Sequence, residues 1–405
     1  MANDAQARPS RSIRPPKVAI VRCEGYDQEK VNLAVREAVG LCLEPGWEAS
    51  VREPVLVKPN VLSPRRPETG ICTHPTVLKA VIALLQEAGA KEIAVGDSSG
   101  GSGVKPSITD KALEVSGLAD AAREMGAKVS GFDHGEAVSV PNPRGPQARP
   151  LALSRSAVEA ARNGWLVSVP KLKTHALTVL TGAVKNLFGT VPGAAKRETH
   201  RQNPTIEEFS NALLDIVEAL PAKLHVVDAI WAMEGEGPSG GPLVNLGVIV
   251  AGADPVAVDA VLAAIVGVAP RRIPTTRLGA ARGLGEADLE GIEVVGTPIA
   301  EVRARRFRLP IAGAVARYAP RGLTRAGISL MITRPAFVSA KCTQCAICAK
   351  SCPTKALKVD KTTPIPQLDD ERCISCFCCQ ELCPNQAVYA RWKHPVARML
   401  FGRRG

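Results

Sequence analysis

The chain has 405 residues, 45% of them hydrophobic, and a formal net charge of +12. That length holds two or three domains with ample core. No unbroken apolar run could span a bilayer, and the polar start MANDAQARPSRSIRPP has neither an apolar signal core nor an adjacent arginine pair, so the expected home is the cytoplasm.

In chain order, residues 17–23 (KVAIVRC) read as a strand and 28–43 as a helix. A second strand, 54–61 (PVLVKPNV), runs into a Pro-rich loop. Pro75 then opens an amphipathic helix that stops at Gly89. A third strand, 91–99, spills into a glycine-rich loop reaching Gly103. Further strands are expected at 164–169, 224–229, 246–251 and 292–296. Helices are expected at 176–188, 205–219 and 255–266, the last with Asp254 as N-cap. The Pro-rich stretch 137–150 suggests a hairpin or a subdomain joint. This alternation predicts an α/β domain over 17–300, with a mainly parallel sheet flanked by helices. Residues 1–16 read as a flexible arm, 301–338 as a basic, partly helical connector, 339–390 as a small α+β module and 391–405 as a basic tail.

Twelve cysteines are present, and eight form two runs. Cys342, Cys345, Cys348 and Cys352 are spaced C-x2-C-x2-C-x3-C and followed by Pro353. Cys373, Cys376, Cys379 and Cys383 repeat this before Pro384. Zinc sites and disulfide frameworks use other spacings, whereas bacterial two-cluster ferredoxins use this one and exchange the fourth ligand between runs. The pattern predicts two [4Fe-4S] clusters. One is held by Cys342, Cys345, Cys348 and Cys383, the other by Cys373, Cys376, Cys379 and Cys352. Cys23, Cys42, Cys72 and Cys378 show no disulfide pattern. Cys72 is a nucleophile, a metal ligand or an inert core thiol; Cys378 is a bystander to the cluster.

Residues 302–359 contain no Asp or Glu but hold eight arginines and four lysines, which equals the whole net charge of +12. Aromatic residues for base stacking are sparse there, which argues against nucleic acid. The remaining readings are a dock for an acidic electron-transfer partner, a contact with a membrane surface, or a solvated linker.

In parallel α/β sheets ligands bind beyond the carboxyl ends of the strands. Lys58 and Asn60 are placed there by the second strand and Asp97 by the third. Lys171, Lys173 and His175 follow the strand 164–169, and Asp228 ends another. Lys58, Lys171, Lys173 and Lys185 in one cleft would favour a carboxylate or phosphate. Asp97, Asp228 and Glu234 would pair the lysines, bind a metal, or act as acid and base; caps and surface charges are the simpler alternative. The loop Gly96–Gly103 can cradle an anion or be a plain surface loop, and it matches neither a P-loop nor a dinucleotide fingerprint. His74 lies at a predicted helix start, His175 in K-T-H and His200 in the loop R-E-T-H-R, where packing or capping competes with chemistry.

The segments VLVKPNVLSPRRPETGICTHPTVLKAVIALLQEAGAKEIAVGDSSG, VPKLKTHALTVLTGAVKNLFGTVPG and VVDAIWAMEGEGPSGG resemble the DUF362 family, often fused to a ferredoxin ending like CISCFCCQELCP. The resemblance spans about 17–300 and 339–390 and implies an iron–sulfur protein whose catalytic role is not established at family level. Its matching positions are Lys58, Asn60, Thr73, His74, Asp97, Lys171, Lys173, His175, Lys185, Asn186, His200, Asp228 and Gly237. More loosely, the Thr73-His74-Pro75 helix start is similar to lactate-racemase-type proteins, with no warrant for nickel. The expectation is a redox enzyme. In it, Lys58, Asn60, His74, Lys171, Lys173, Lys185, Asn186 and Asp228 hold an anionic molecule, and Asp97, His175 and Lys58 carry the chemistry. The alternative is a non-enzymatic electron-transfer or cofactor-assembly protein that docks an acidic partner.

Overall fold

The computed structural model describes residues 14–100, 108–142, 145, 149–310, 332–360 and 362–401. Most of the N-terminal arm, part of the glycine-rich loop, the connector residues 311–331 (with Arg317, Arg321 and Arg325) and the last tail residues lie outside them.

Among the described residues, twelve strands belong to the larger domain: β1 Lys17–Arg22, β2 Val55–Pro59, β3 Ile93–Asp97, β4 Lys128–Gly131, β5 Ala137–Val140, β6 Leu151–Ser154, β7 Trp165–Val169, β8 Lys171–His175, β9 Val179–Thr181, β10 Leu224–Met233, β11 Leu243–Gly252 and β12 Glu293–Gly296. The main sheet runs β12-β1-β11-β10-β7-β2-β3-β4, with β8 paired to β10 and β9. All its neighbours are parallel except where β11 meets β1 and β10, and where β9 meets β8. β5, at the start of the Pro-rich stretch, and β6, just after it, pair antiparallel.

The sheet is apolar on both faces, as a helix-covered parallel sheet must be. Val55 and Val57 of β2 join one core with helices Gln28–Cys42 and Pro75–Glu87, while Leu56 between them joins the opposite core with helices Arg155–Asn163 and Ile206–Ala219. The helices start where their caps dictate. Asp254 accepts from Val256 and Ala257 amides, and Thr205 with Glu208 forms a reciprocal capping box. His74 caps Pro75–Glu87 through its ring, which accepts from the Thr76 amide.

The expected helix at 176–188 is corrected. β9 and a single helical turn at Ala183–Asn186 replace it. The His175 ring accepts the Leu177 and Thr178 amides, and Val179 takes a left-handed φ of 67°, so the chain turns back to pair with β8 instead of winding. Asp228 does not end its strand either. β10 continues to Met233, with a register shift between Ala229 and Trp231.

In the C-terminal module β13 (Thr333–Phe337) pairs with β16 (Val388–Trp392), and β14 (Leu357–Lys358) with β15 (Gln367–Leu368). The end of the connector and the start of the tail therefore belong to the module's own sheet. The two cysteine runs repeat in structure. Left-handed residues fall at matching places, Gln344 with Ser375 and Ala346 with Phe377. Amides donate to matching cysteines, Ala356 to Cys352 and Ala387 to Cys383, both at 3.2 Å.

A cation-lined cavity at the domain seam

Lys171 and Lys173 follow β7 and lie in a strand of their own, alternating with Leu172 and Thr174 along β8. Period-two geometry sends Lys171, Lys173 and His175 to one face. All three are buried, and each needs a partner there. Lys171 Nζ pairs with Asp228 at 2.9 Å and donates to Tyr26 Oη at 2.6 Å. The Tyr26 hydroxyl and the His74 amide also donate to Asp228, and the Tyr26 and His74 rings stack at 3.6 Å. Lys173 Nζ donates to Asn60 Oδ1 at 2.7 Å and the Ile71 carbonyl at 2.5 Å, both neutral acceptors. Burial, with no carboxylate in contact, lowers its pKa to about 7.

His175 crosses to the other module. Its Nε2 lies 2.6 Å from Glu381 Oε1, while Nδ1 accepts the two amides noted above. That bonding places the proton on Nε2. Burial first, and Lys185 second, lower the His175 pKa to about 4, so the ring is neutral at pH 7. Burial alone would raise Glu381, but Lys185 and the His175 hydrogen bond outweigh it and hold the carboxyl below its usual range.

Lys58 and Asp97 form a second buried pair at 3.0 Å. Asp97 also accepts the Val61 and Ser98 amides at 2.7 Å each. Lys58 donates to the Pro59 carbonyl, and Asn186 bonds Asn60 at 3.3 Å and the Lys58 carbonyl at 3.2 Å. Gly189 closes over this pair, since a Cβ there would lie 1.9 Å from Asp97 Oδ1.

This network forms one wall of a ≈60 Å³ cavity at the domain seam. Lys58, Lys185, Lys196 and Arg197 bring basic groups to it and His200 a ring, with Ser351, Cys378 and Glu381 facing them from the module. Lys196 donates to the Ser98 and Ser99 carbonyls, and burial lowers its pKa to about 8. Lys185 makes no ion pair among the described residues. The Ser351 hydroxyl is buried without a hydrogen-bond partner among the described residues, an orphan that a ligand in the cavity can satisfy. His200, expected in a loop, lies instead in the helix Ala195–Gln202 and stacks on Phe209 at 4.3 Å with its ring nitrogens unengaged among the described residues; burial drops its pKa to about 3.

The single cleft expected for four lysines is therefore corrected. Lys58 and Lys185 line the cavity with Asn60, Asn186 and Asp97, whereas Lys171, Lys173, His74 and Asp228 lie outside its lining, and His175 is held by Glu381. The partners mark the separation: Lys171 is held by Asp228 and Tyr26, and Lys173 by Asn60 and the Ile71 carbonyl. Sequence reasoning missed Lys196, Arg197, Glu381, Ser351 and Tyr26. Glu381 carried a faint signal, as it occupies the position of Lys350 in the other cysteine run.

The cysteines surround two further cavities. Cys342, Cys345, Cys348 and Cys383 line one, and Cys352, Cys373, Cys376 and Cys379 the other. Among the described residues no three His, Cys, Asp or Glu side chains converge on a single metal ion. Thiols spread around a cavity suit a multi-iron cluster, whose corners each take one thiolate, better than a lone tetrahedral zinc. Ser351 and Cys378, neighbours of Cys352 and Cys379, line the seam cavity, and Cys378 also lines the second cysteine cavity.

A family model for a domain of unknown function, DUF362, matches residues 55–264, just over half of the chain. The chain belongs to this family. A 4Fe-4S dicluster domain matches residues 341–387 of this DUF362 protein, so the module is of ferredoxin type and binds 4Fe-4S. A thylakoid-associated protein of Synechocystis, sll1697, is 30% identical over 273 residues, 64% of this chain and 77% of that one. Among solved structures, the lactate racemase apoprotein from Thermoanaerobacterium thermosaccharolyticum overlaps at 10% identity and a TM-score of 0.37, over 60% of this chain and 55% of that one. A Thermotoga maritima protein overlaps at 13% and 0.33, over 64% and 60%. This chain thus spans less than two thirds of either structure, and such overlap assigns no activity. No helix among the described residues is long and apolar enough to cross a membrane.

Proposed function

We propose that this chain is an iron–sulfur redox enzyme that exchanges electrons with a small anion held in the seam cavity. The observation that carries the reading is the cavity's mixed wall, with basic side chains of the α/β domain facing residues next to cluster-type cysteines. The cysteine quartets would hold two [4Fe-4S] clusters, Cys342, Cys345, Cys348 and Cys383 in one set and Cys352, Cys373, Cys376 and Cys379 in the other. When bound, such clusters supply or accept single electrons.

The chain's own residues would do the rest. Lys185, which makes no ion pair among the described residues and shares the cavity wall with Glu381, supplies positive charge, and Lys58 is fixed in place by Asp97. Lys196, with a pKa near 8, can donate a proton to a reduced product or hold an anion. The Ser351 hydroxyl and the His200 ring offer unspent hydrogen bonds. Space of ≈60 Å³ admits about four or five water-sized atoms, which favours a small oxyanion or carboxylate over a nucleotide. Asp97 acts as the anchor of Lys58 in this reading, and His175 as the tie between modules. A cytoplasmic setting keeps the thiols reduced for cluster loading, and the thylakoid association in the relative's name suits peripheral contact with a membrane surface.

The test is anaerobic. The reduced protein is mixed with a panel of small carboxylates and inorganic oxyanions while cluster absorbance is followed. At least one should speed reoxidation in the wild type and fail to do so in Lys185→Met. A flat response across the whole panel would sink the reading.

A further inference from the structure

A second cation-lined opening lies on the outer side of the same seam. A groove of ≈860 Å³ runs between helix Ala195–Gln202 and the loop carrying Cys352 and Pro353. Arg197, Lys350, Lys355, Lys358 and Arg372 line it, against one carboxylate, Glu198, which is already held by Arg201 at 2.8 Å. None of the five cations makes an ion pair among the described residues, and all but Arg197 are exposed. Nearby acids do not answer them. Asp370 is spent on Arg334 and Lys393, at 2.8 and 2.5 Å, and Asp369 caps the Glu371 and Arg372 amides at 3.1 Å.

The groove also flanks both cysteine quartets, because Ala349 in its lining follows Cys348 and Cys352 belongs to the other set. The repeated cysteine runs differ here in a telling way. Two residues after its third cysteine, the second run places Glu381, which turns inward to His175; the first run places Lys350, which turns outward into the groove. Among the described residues no aromatic side chain lines the groove for base stacking, which disfavours nucleic acid.

We propose that this groove is the docking port of a small acidic one-electron carrier protein. Each encounter moves one electron, so the carrier is oxidised by one as this chain is reduced by one, or the reverse, and no bond forms or breaks. Like charges held on an exposed rim repel one another until a partner neutralises them, and they steer an acidic partner to the rim. The inference rests on the two-cluster reading but not on what occupies the seam cavity.

The test uses the full, cluster-loaded chain. A reduced acidic plant-type ferredoxin is the protein probe and reduced methyl viologen, a small cation, is the control. Wild-type reduction by the ferredoxin should slow steeply with added salt, while reduction by viologen should hold steady or quicken. In Lys350→Glu/Lys355→Glu/Lys358→Glu, reduction by the ferredoxin at low salt should fall on the order of tenfold or more and converge with wild type at high salt. Binding of oxidised ferredoxin, measured by calorimetry, should weaken in parallel. Lys358→Glu alone, six residues from the nearest cysteine, should show a smaller loss of the same sign. Salt-independent wild-type reduction by the ferredoxin, or unchanged rates in the triple variant, would overturn the proposal. So would an oligonucleotide that binds the groove while the ferredoxin does not. Loss of anion-driven reoxidation with carrier docking intact would instead count against the seam cavity alone.

Discussion

The His175–Glu381 contact, 2.6 Å across the seam, allows a sharp test of how the two modules are joined. In Glu381→Ala the Nε2 proton of His175, which is fully buried, loses its acceptor. An orphaned buried donor costs about 1–3 kcal/mol, which is about a five- to 150-fold rise in the population of opened seam. The Leu177 and Thr178 amides, which donate to the same ring, report that opening through hydrogen exchange corrected for intrinsic rates. Glu381→Gln keeps the shape and should fall between alanine and wild type. The contact should also be acid-labile. The His175 pKa is lowered from 6.5 to about 4 by burial and by Lys185, so an opened seam takes up a proton at a higher pH than the closed one. The stabilisation is complete above about pH 6.5, declines as pH falls toward 4, and the total loss is about 3 kcal/mol. His175→Gln, whose amide does not titrate, should remove this component. If exchange at Leu177 and Thr178 is the same in Glu381→Ala as in wild type, and its wild-type profile is flat from pH 7 to 5, the seam is held by something else.

Gly189→Ala would press a methyl carbon to 1.9 Å from Asp97 Oδ1 and 2.4 Å from Lys58 Nζ; we expect a loss of about 1–3 kcal/mol in thermal melts and abolished anion binding, and a wild-type melting point would refute the packing argument. Lys171→Met should cost about 3–5 kcal/mol by stranding Asp228, yet leave anion affinity in the folded protein unchanged, because Lys171 is not part of the cavity lining. Calorimetric binding below the melting transition separates the two effects. Cys376→Ser should remove about half of the bound iron and spare the quartet of Cys342, Cys345, Cys348 and Cys383, read by iron assay and low-temperature spin resonance; loss of all the iron would argue that the quartets are not independent.

The strands were legible because Val- and Ile-rich runs such as KVAIVR and VLVKP bury both faces and have few other uses. Helix starts at Pro75 and Pro255 were legible from cap chemistry. The segment after His175 was not. Its apolar spacing suits a helix, but a ring nitrogen captures the two amides that would begin one, and that acceptor comes from the tertiary fold rather than the local pattern. The lysines posed the same difficulty. Their number and rough location were readable, but whether each found a carboxylate depended on neighbours far along the chain, Asp97 for Lys58 and Asp228 for Lys171, while Lys173 and Lys185 contact none among the described residues. The seam cavity was invisible for the same reason, since its walls come from residues as far apart as Lys58 and Glu381. The cysteine runs were readable because their spacing is itself the chemistry.

β8 carries a further consequence. Five consecutive residues reach three different places: Lys171 the Asp228 cluster, Lys173 the loop of Asn60 and Ile71, and His175 the ferredoxin module. Each tie can be weakened singly by a point substitution. Inserting or deleting one residue after Pro170 is another matter, because it would rotate all three side chains to the opposite side and bring Leu172 and Thr174 into their places. The strand works as a ruler with three marks, and its length is under stricter constraint than any one of its side chains.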